Sequence, residues 1–368
     1  MTKEDKQASA GHGVTRRDLL VGAGVMGAYL AVGGPALAAP AVVKGQTMTV
    51  SLWGGPFAKV IREALVPGFE KDHGVKVAIE EGLSADSLAK VRMERDRPRR
   101  TVVGIDDIYI PLLRSENLVE PLTEQDVPNL KNVNPKFLIE DGYGVGAAVN
   151  YATLYYNTAR VTEPIDSYAA IWDPRYKGRV ALSSAHSSFG IMVLMAASAI
   201  ATGQPIEKAQ YNLDAGFEVI KKLRPDLYSI VDSSIALAPL LAKGEVFMTF
   251  INSRFMTPYM LRGASIARAD VREGAFMLLN AAALVKGAPL QDQGKDFLDR
   301  MLSREIQSAM STEGYTGPVN RTVEVSEALK PHVPYGDDII DRLVRIDLQN
   351  FSSNWSAWQN RWNKEIAS

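Results

Sequence analysis

Residues 47–53 alternate polar and apolar side chains (Thr, Met, Thr, Val, Ser, Leu, Trp) and stop at Gly54-Gly55, the pattern of a half-buried strand closed by a turn. Apolar positions then recur at helical spacing over residues 57–69. A second strand is predicted at 75–79, a helix at 83–94 and a third strand at 101–105. Strand, helix, strand, helix, strand implies a parallel sheet covered on both faces, whose ligands sit at the carboxyl ends of the strands. Here those ends are Trp53 and the pair Asp106-Asp107. The theme repeats with strands expected at 152–157, 180–183, 246–251 and 281–285, and helices at 189–201, 206–223 and 235–243. Two α/β lobes follow, joined by several crossings because no low-complexity linker separates them. Beyond Pro334, residues 337–349 and 354–366 read as two helices, the last carrying Trp355, Trp358 and Trp362 on one face as a core stripe.

The first forty residues follow another pattern. Thr15-Arg16-Arg17-Asp18-Leu19-Leu20 precedes an apolar, glycine-rich run from Val21 to Leu37, and Ala36-Leu37-Ala38 places small residues where a signal peptidase needs them. This predicts a removed signal over residues 1–38, with paired arginines of the twin-arginine type that moves folded proteins. Gly22, Gly24 and Gly27 match a dinucleotide fingerprint, but no strand precedes them and no acidic residue stands about 20 positions downstream.

Composition removes several function classes. The chain of 368 residues is 46% hydrophobic and carries a formal net charge of −1, so no global field gathers nucleic acid or anionic lipid. It has no cysteine, and His12, His73, His186 and His332 are scattered, which argues against thiolate chemistry and a zinc centre. No flavin, haem or iron–sulfur motif is present, so no cofactor is expected. The arginines between Arg92 and Arg100 are interleaved with Glu94 and Asp96, the arrangement of a solvated face.

Five segments, in order, resemble the extracellular solute-binding proteins of the spermidine/putrescine-binding, family-1 type. They are Asp107-Ile-Tyr-Ile-Pro-Leu-Leu-Arg-Ser-Glu-Asn-Leu-Val-Glu-Pro-Leu122, Thr153-Leu-Tyr-Tyr-Asn157, Ile171-Trp-Asp-Pro-Arg-Tyr-Lys-Gly-Arg179, Gly244-Glu-Val246 and Glu313-Gly-Tyr-Thr-Gly-Pro-Val-Asn320. The resemblance runs from about residue 47 to 366 and implies the two-lobed periplasmic-binding-protein fold of type II, an α/β architecture hinged between lobes. It implies a monomeric receptor without catalytic residues that closes on a small-molecule ligand and delivers it to the membrane permease of an ABC importer. By position, one lobe is expected at 47–144 plus 281–312 and the other at 145–280 plus 313–368.

The resemblance places Trp53 and the pair Asp106-Asp107 at the ligand, one carboxylate, Asp106 before Asp107, to hold an amine; Trp53 alternatively serves as core, and one of the two aspartates, Asp107 before Asp106, as a helix cap. Ser183, Ser184, His186 and Ser187, with Ser188, form a strand-to-helix loop whose hydroxyls and amides suit an anion or carboxylate, or cap the helix, or both. Polyamine binders carry acidic residues in this loop, and an aspartate where this chain has Asn280; neither is present here. Asn252 and Arg254 occupy a ligand-contacting turn in the family, and arginine suits carboxylate or phosphonate, with Arg262 and Arg268 as neighbouring alternatives. Tyr315 and Thr316 lie in a glycine-bracketed loop near a crossing between lobes and either touch ligand or shape the hinge.

A small carboxylate or amino-carboxylate is therefore the expected ligand. Polyamine or ferric-ion binding on the same fold are the alternatives, the latter drawn by Tyr155-Tyr156, whose alternation sends the two rings to opposite faces. An enzyme exported through the twin-arginine route is a further alternative. Replacing both Arg16 and Arg17 with Lys is expected to leave the precursor in the cytoplasm; recovery of the processed chain outside it, by cell fractionation, would refute the twin-arginine assignment.

Overall fold

The computed structural model describes residues 45–367; the expected signal and its cleavage point after Ala38 lie outside the described residues. Eleven strands form one sheet: β1 (Thr47–Leu52), β2 (Lys76–Glu81), β3 (Arg100–Asp106), β4 (Val119–Glu120), β5 (Leu138–Ile139), β6 (Gly144–Asn157), β7 (Val180–Ser183), β8 (Ser229–Val231), β9 (Met248–Asn252), β10 (Ile266–Arg268) and β11 (Phe276–Val285). The main path runs β2-β1-β3-β11-β6-β9-β7-β8, with β4 on β11 and with β5 and β10 on β6.

The pairing explains the architecture. β1 lies parallel to β2 and β3, and β7 lies parallel to β8 and β9, giving two parallel groups as the repeated strand–helix pattern predicts. Between them stand β6 and β11, antiparallel to each other and to the groups they join: β11 pairs with β3, β6 with β9. All fourteen residues of β6 are buried, and at a rise of roughly 3.3 Å per residue the strand spans about 46 Å, long enough to serve both groups. Its residues near Val145–Ala152 meet β11, and Ala152–Tyr156 meet β9.

Two apolar clusters cover the second group. Leu154 and Tyr156 belong to the main core, whereas Tyr155 packs with Leu237, Leu241, Val246 and Met256 in another, so the adjacent tyrosine rings do occupy opposite faces of β6. Helix Ser188–Thr202 is buried nearly all round and ends at Gly203 in the left-handed conformation. Its first turn lies so close to the preceding loop that a Cβ on Gly190 would stand 2.2 Å from the Ser184 carbonyl oxygen.

Several expected elements change extent. β6 begins at Gly144, not Ala152, because Gly144-Val-Gly-Ala-Ala lacks the bulky alternation of a strand yet pairs with β11; a Cβ at Gly146 would meet Leu279 at 2.6 Å. The helix expected over 206–223 is broken into Ile206–Ala209 and Asp214–Leu223. The helix expected over 337–349 covers only Asp337–Asp341, and the tryptophan helix starts earlier, at Leu348, where Asp347 caps it. Trp355 and Trp362 are buried and Trp358 packs against the same core, as the stripe predicts. Arg100 departs from the solvated-face reading: it is 3% exposed and bonds to Glu94 at 2.9 Å and the Ser51 hydroxyl at 2.9 Å.

Because backbone, not a flexible side chain, fills the space beside Gly190, the Gly190→Ala chain is expected to unfold in urea with a loss of about 1–3 kcal/mol or more. A denaturation midpoint equal to the parent's would show that the helix and loop separate freely there.

Candidate functional site

The carboxyl ends of β1, β3, β7, β8 and β9 converge on one cleft, a cavity of about 340 Å³. Trp53, leaving β1, packs edge-on against Phe57 with ring centres 5.0 Å apart. Its indole N–H donates to the Ser84 hydroxyl at 3.1 Å, and the backbone N–H of Asp106 donates to the same oxygen at 3.1 Å. Ser84 thus fixes the ends of two neighbouring strands. Asn280, where β11 shifts register against β6, stands opposite Asp106 of β3 and donates its amide to one carboxylate oxygen at 3.1 Å. The other carboxylate oxygen accepts from the Ser188 hydroxyl at 3.3 Å, a bond that spans from the first strand group to the second.

Arg254 forms the opposite wall. It follows β9 in the first turn of helix Ser253–Leu261, where the Asn252 side chain caps the helix by accepting from the Arg254 backbone N–H at 2.8 Å. The guanidinium is 3% exposed and lies 4.9 Å from the Phe255 ring centre and 5.9 Å from that of Phe57. Its Nε and one terminal nitrogen are buried without a hydrogen-bond partner. Burial pulls its pKa down to about 10, with Asp106 opposing. The positive end of the helix adds a second unfavourable term for a cation at this place.

Burial likewise raises the Asp106 pKa above the ordinary carboxylate range, against the pull of Arg254 and of the Ser84, Ser188 and Asn280 bonds. Tyr109, also lining the cleft, is raised well above its usual range by burial and then by Asp106 and Asp86. Its ring meets Trp355 and Phe351 edge-on, so the C-terminal helix backs this wall. Around the rim lie Glu81, Asp86, His186 and Asp232. Glu81 holds Arg62 at 2.7 Å, and Asp232 accepts from the Ser184 hydroxyl at 2.6 Å.

Of the residues singled out in the sequence, Trp53, Asp106, His186, Ser187, Asn252, Arg254 and Asn280 line this cleft together. Asp107, Ser183, Ser184, Tyr315 and Thr316 do not. Asp107 is buried beside it, accepting from the Ile108 backbone N–H at 3.0 Å; this bond lies within the turn, and the side chain caps no helix. Ser183 pairs with Ser234, and Ser184 shapes the loop by accepting from the His186 N–H at 3.2 Å. Ser187 holds the N-cap position of its helix without a side-chain capping bond, turning its hydroxyl instead to the Ser184 carbonyl. Thr316 is buried on the Met310 carbonyl, and Tyr315, at φ 57°, packs with Val325, Leu329 and Val333. Tyr155 and Tyr156 lie outside the lining, as do Arg262 and Arg268. Ser84, Asp86 and Asp232 were not singled out in the sequence; the only signal was position, within a turn or so of the end of β2 and directly after β8.

The fold and cleft define a two-lobed binding protein. The chain belongs to the bacterial extracellular solute-binding protein family, whose pattern matches residues 64–334. A periplasmic protein of Salmonella typhimurium named for 2-aminoethylphosphonate binding is 22% identical over 311 residues, covering 80% of this chain and 85% of its own length. The spermidine/putrescine-binding periplasmic protein of Escherichia coli is 21% identical, covering 83% and 85%. Among solved structures, the periplasmic binding protein AfuA of Actinobacillus pleuropneumoniae, with fructose-6-phosphate bound, superposes with a TM-score of 0.73 at 21% identity over 88% of this chain and 99% of its own. The fold and the solute-binding class expected from the sequence are both borne out.

Asp107 carries a pH signature of this buried acidic pair. Burial and the neighbouring Asp106 push its pKa up to about 8, whereas an unfolded aspartate titrates near about 3.9. Between those values the folded chain holds a proton the unfolded chain lacks, so stability falls as pH rises, by up to about 1.4 kcal/mol per pH unit for this group. Asp107→Asn is expected to flatten that slope in urea denaturation across about pH 5 to 7, leaving only the share of Asp106. An unchanged slope would mean that Asp107 is ionised in the folded chain.

Proposed function

We propose that this chain is the periplasmic receptor of an ABC importer and that its ligand is a small zwitterion bearing an amine and an acid group, carboxylate or phosphonate. The observation that carries this reading is Arg254: a guanidinium 3% exposed in the cleft wall, with Nε and a terminal nitrogen lacking any partner. A buried cation left in this state is costly, and an acid group with two oxygens satisfies it as a fork. The amine end suits Asp106, with Glu81, Asp86 and Asp232 at the rim. A polyamine answers only that acidic side and adds charge of the sign Arg254 already has. The name of the Salmonella relative supports the reading, since 2-aminoethylphosphonate carries both groups.

In this reading the twin-arginine signal exports the chain, and ligand is held by closure of two lobes, 47–144 plus 281–312 against 145–280 plus 313–368. The register shift at Asn280/Ala281 and the bridge between Val149 and Gly317 support a hinge where these segments cross. Closure follows because the ligand is gripped from both sides only in the closed state.

Calorimetric and thermal-shift titration of the processed chain with 2-aminoethylphosphonate, short amino-carboxylates, spermidine and ferric citrate tests the proposal. A zwitterion is expected to bind, and Arg254→Ala to weaken it at least tenfold, from the about 2–5 kcal/mol lost when one partner of a buried charge pair is truncated. The same substitution is expected to raise the melting temperature without ligand, because it removes an unpaired buried cation. Arg97→Ala, on an exposed side chain, should change neither. Stabilisation by spermidine alone, equal in parent and Arg254→Ala, would overturn the zwitterion reading.

A further inference from the structure

A second cavity, of about 450 Å³, shares no lining residue with the cleft. Its walls are Tyr151 of β6, the connection from β10 to β11, and residues 339–343. Three arginines, Arg268, Arg272 and Arg342, line it against one carboxylate, the exposed Asp270. Arg272 is neutralised by Asp166 at 3.3 Å and Glu273 at 3.8 Å. Among the described residues, neither Arg268 nor Arg342 has an ion-pair partner. Arg342 gives its Nε to the Asp338 carbonyl at 3.1 Å and keeps its terminal nitrogens.

Arg268 stacks on the Tyr151 ring, 4.1 Å from its centre. Stacking uses the faces of both groups and leaves the in-plane N–H donors of the guanidinium free. Tyr151 is 4% exposed, yet its hydroxyl has no hydrogen-bond partner among the described residues. Burial keeps the phenol above its usual pKa even with Arg268 and Arg342 close, so it stays an O–H donor. His332, held below its usual range by burial and by Arg268, adds no further positive charge at neutral pH. Two guanidinium forks without an ion-pair partner, Arg268 half-buried and Arg342 exposed, and an unpartnered hydroxyl open to the same cavity form a donor set with almost no internal acceptor.

We propose that this cavity binds a small polyvalent oxyanion of the phosphate type, at a site separate from the solute cleft. Three or more oxygens on one centre can accept from both forks and from the Tyr151 hydroxyl together, which a single carboxylate cannot. The site does not depend on which solute the cleft takes.

Calorimetric titration of inorganic phosphate, in chloride buffer of matched ionic strength, is made into the full processed chain carrying Arg254→Ala, in which the cleft guanidinium is gone. One saturable phosphate site is expected there. Adding Arg268→Gln and Arg342→Gln is expected to weaken it at least tenfold. If that chain does not fold, Tyr151→Phe in the Arg254→Ala background keeps the ring and its stack and is expected to weaken binding several-fold. No saturable heat in the Arg254→Ala chain, or affinity unchanged in the Arg268→Gln/Arg342→Gln or Tyr151→Phe chains, would overturn the site. The cleft proposal is read separately, from zwitterion binding in the parent.

Discussion

Antiparallel pairing of β6 with β11 keeps two parallel groups of strands in one continuous sheet. Each parallel group must be covered on both faces and presents its strand ends in one direction; joining them through antiparallel strands brings the two sets of ends face to face. The cleft is that meeting. Trp53 and Asp106 arrive from one group, Arg254 and the Ser188 turn from the other, and Asn280 sits on the joining strand itself, bonded to Asn150 of β6 at 2.9 Å and to Asp106. Glycine and alanine in β6 make the join possible, since larger side chains at Gly144 and Gly146 would strike Ile110 and Leu279.

The electrostatics of the cleft are set by burial before they are set by partners. Asp106 and Arg254 carry opposite charge, yet burial moves both toward neutrality, the acid upward and the guanidinium downward. Their attraction does not make good the hydration each has lost, because Nε and one terminal nitrogen of the guanidinium are buried without a hydrogen-bond acceptor. A binding protein can keep such a debt in its resting fold where an ordinary core could not, since the groups that carry it are the ones a solute meets.

Much of this was legible in the sequence, and for definite reasons. The strands of the parallel groups alternate or run apolar between turn residues, so β1, β3 and β7 stand out, and with them the strand ends that hold Trp53, Asp106 and the serine loop. The first half of β6 was hidden because small residues carry no periodic signal. Arg100 looked solvated because a run of charges shows composition and not which member turns inward to Glu94 and Ser51. Ser84 and Asp86 reach the cleft from the first turn of helix Ser84–Met93 and Asp232 from the loop after β8, and spacing does not encode which residues of such a turn or loop face a cleft. Tyr315 and Thr316 had the right neighbourhood in the chain, but a left-handed backbone at Tyr315 turns that segment onto its own small apolar cluster.

The bond between Asp106 and Asn280 joins residues 174 positions apart. β3 therefore has no partner on one edge until nearly three hundred residues have been synthesised, and the nascent first group carries an open strand edge for all that time. Contacts of such long range slow the search for the native topology and expose sticky intermediates while it lasts. For a polypeptide built this way, the open edge of β3 is the place where another chain's strand can add, and only completion of β11 closes it.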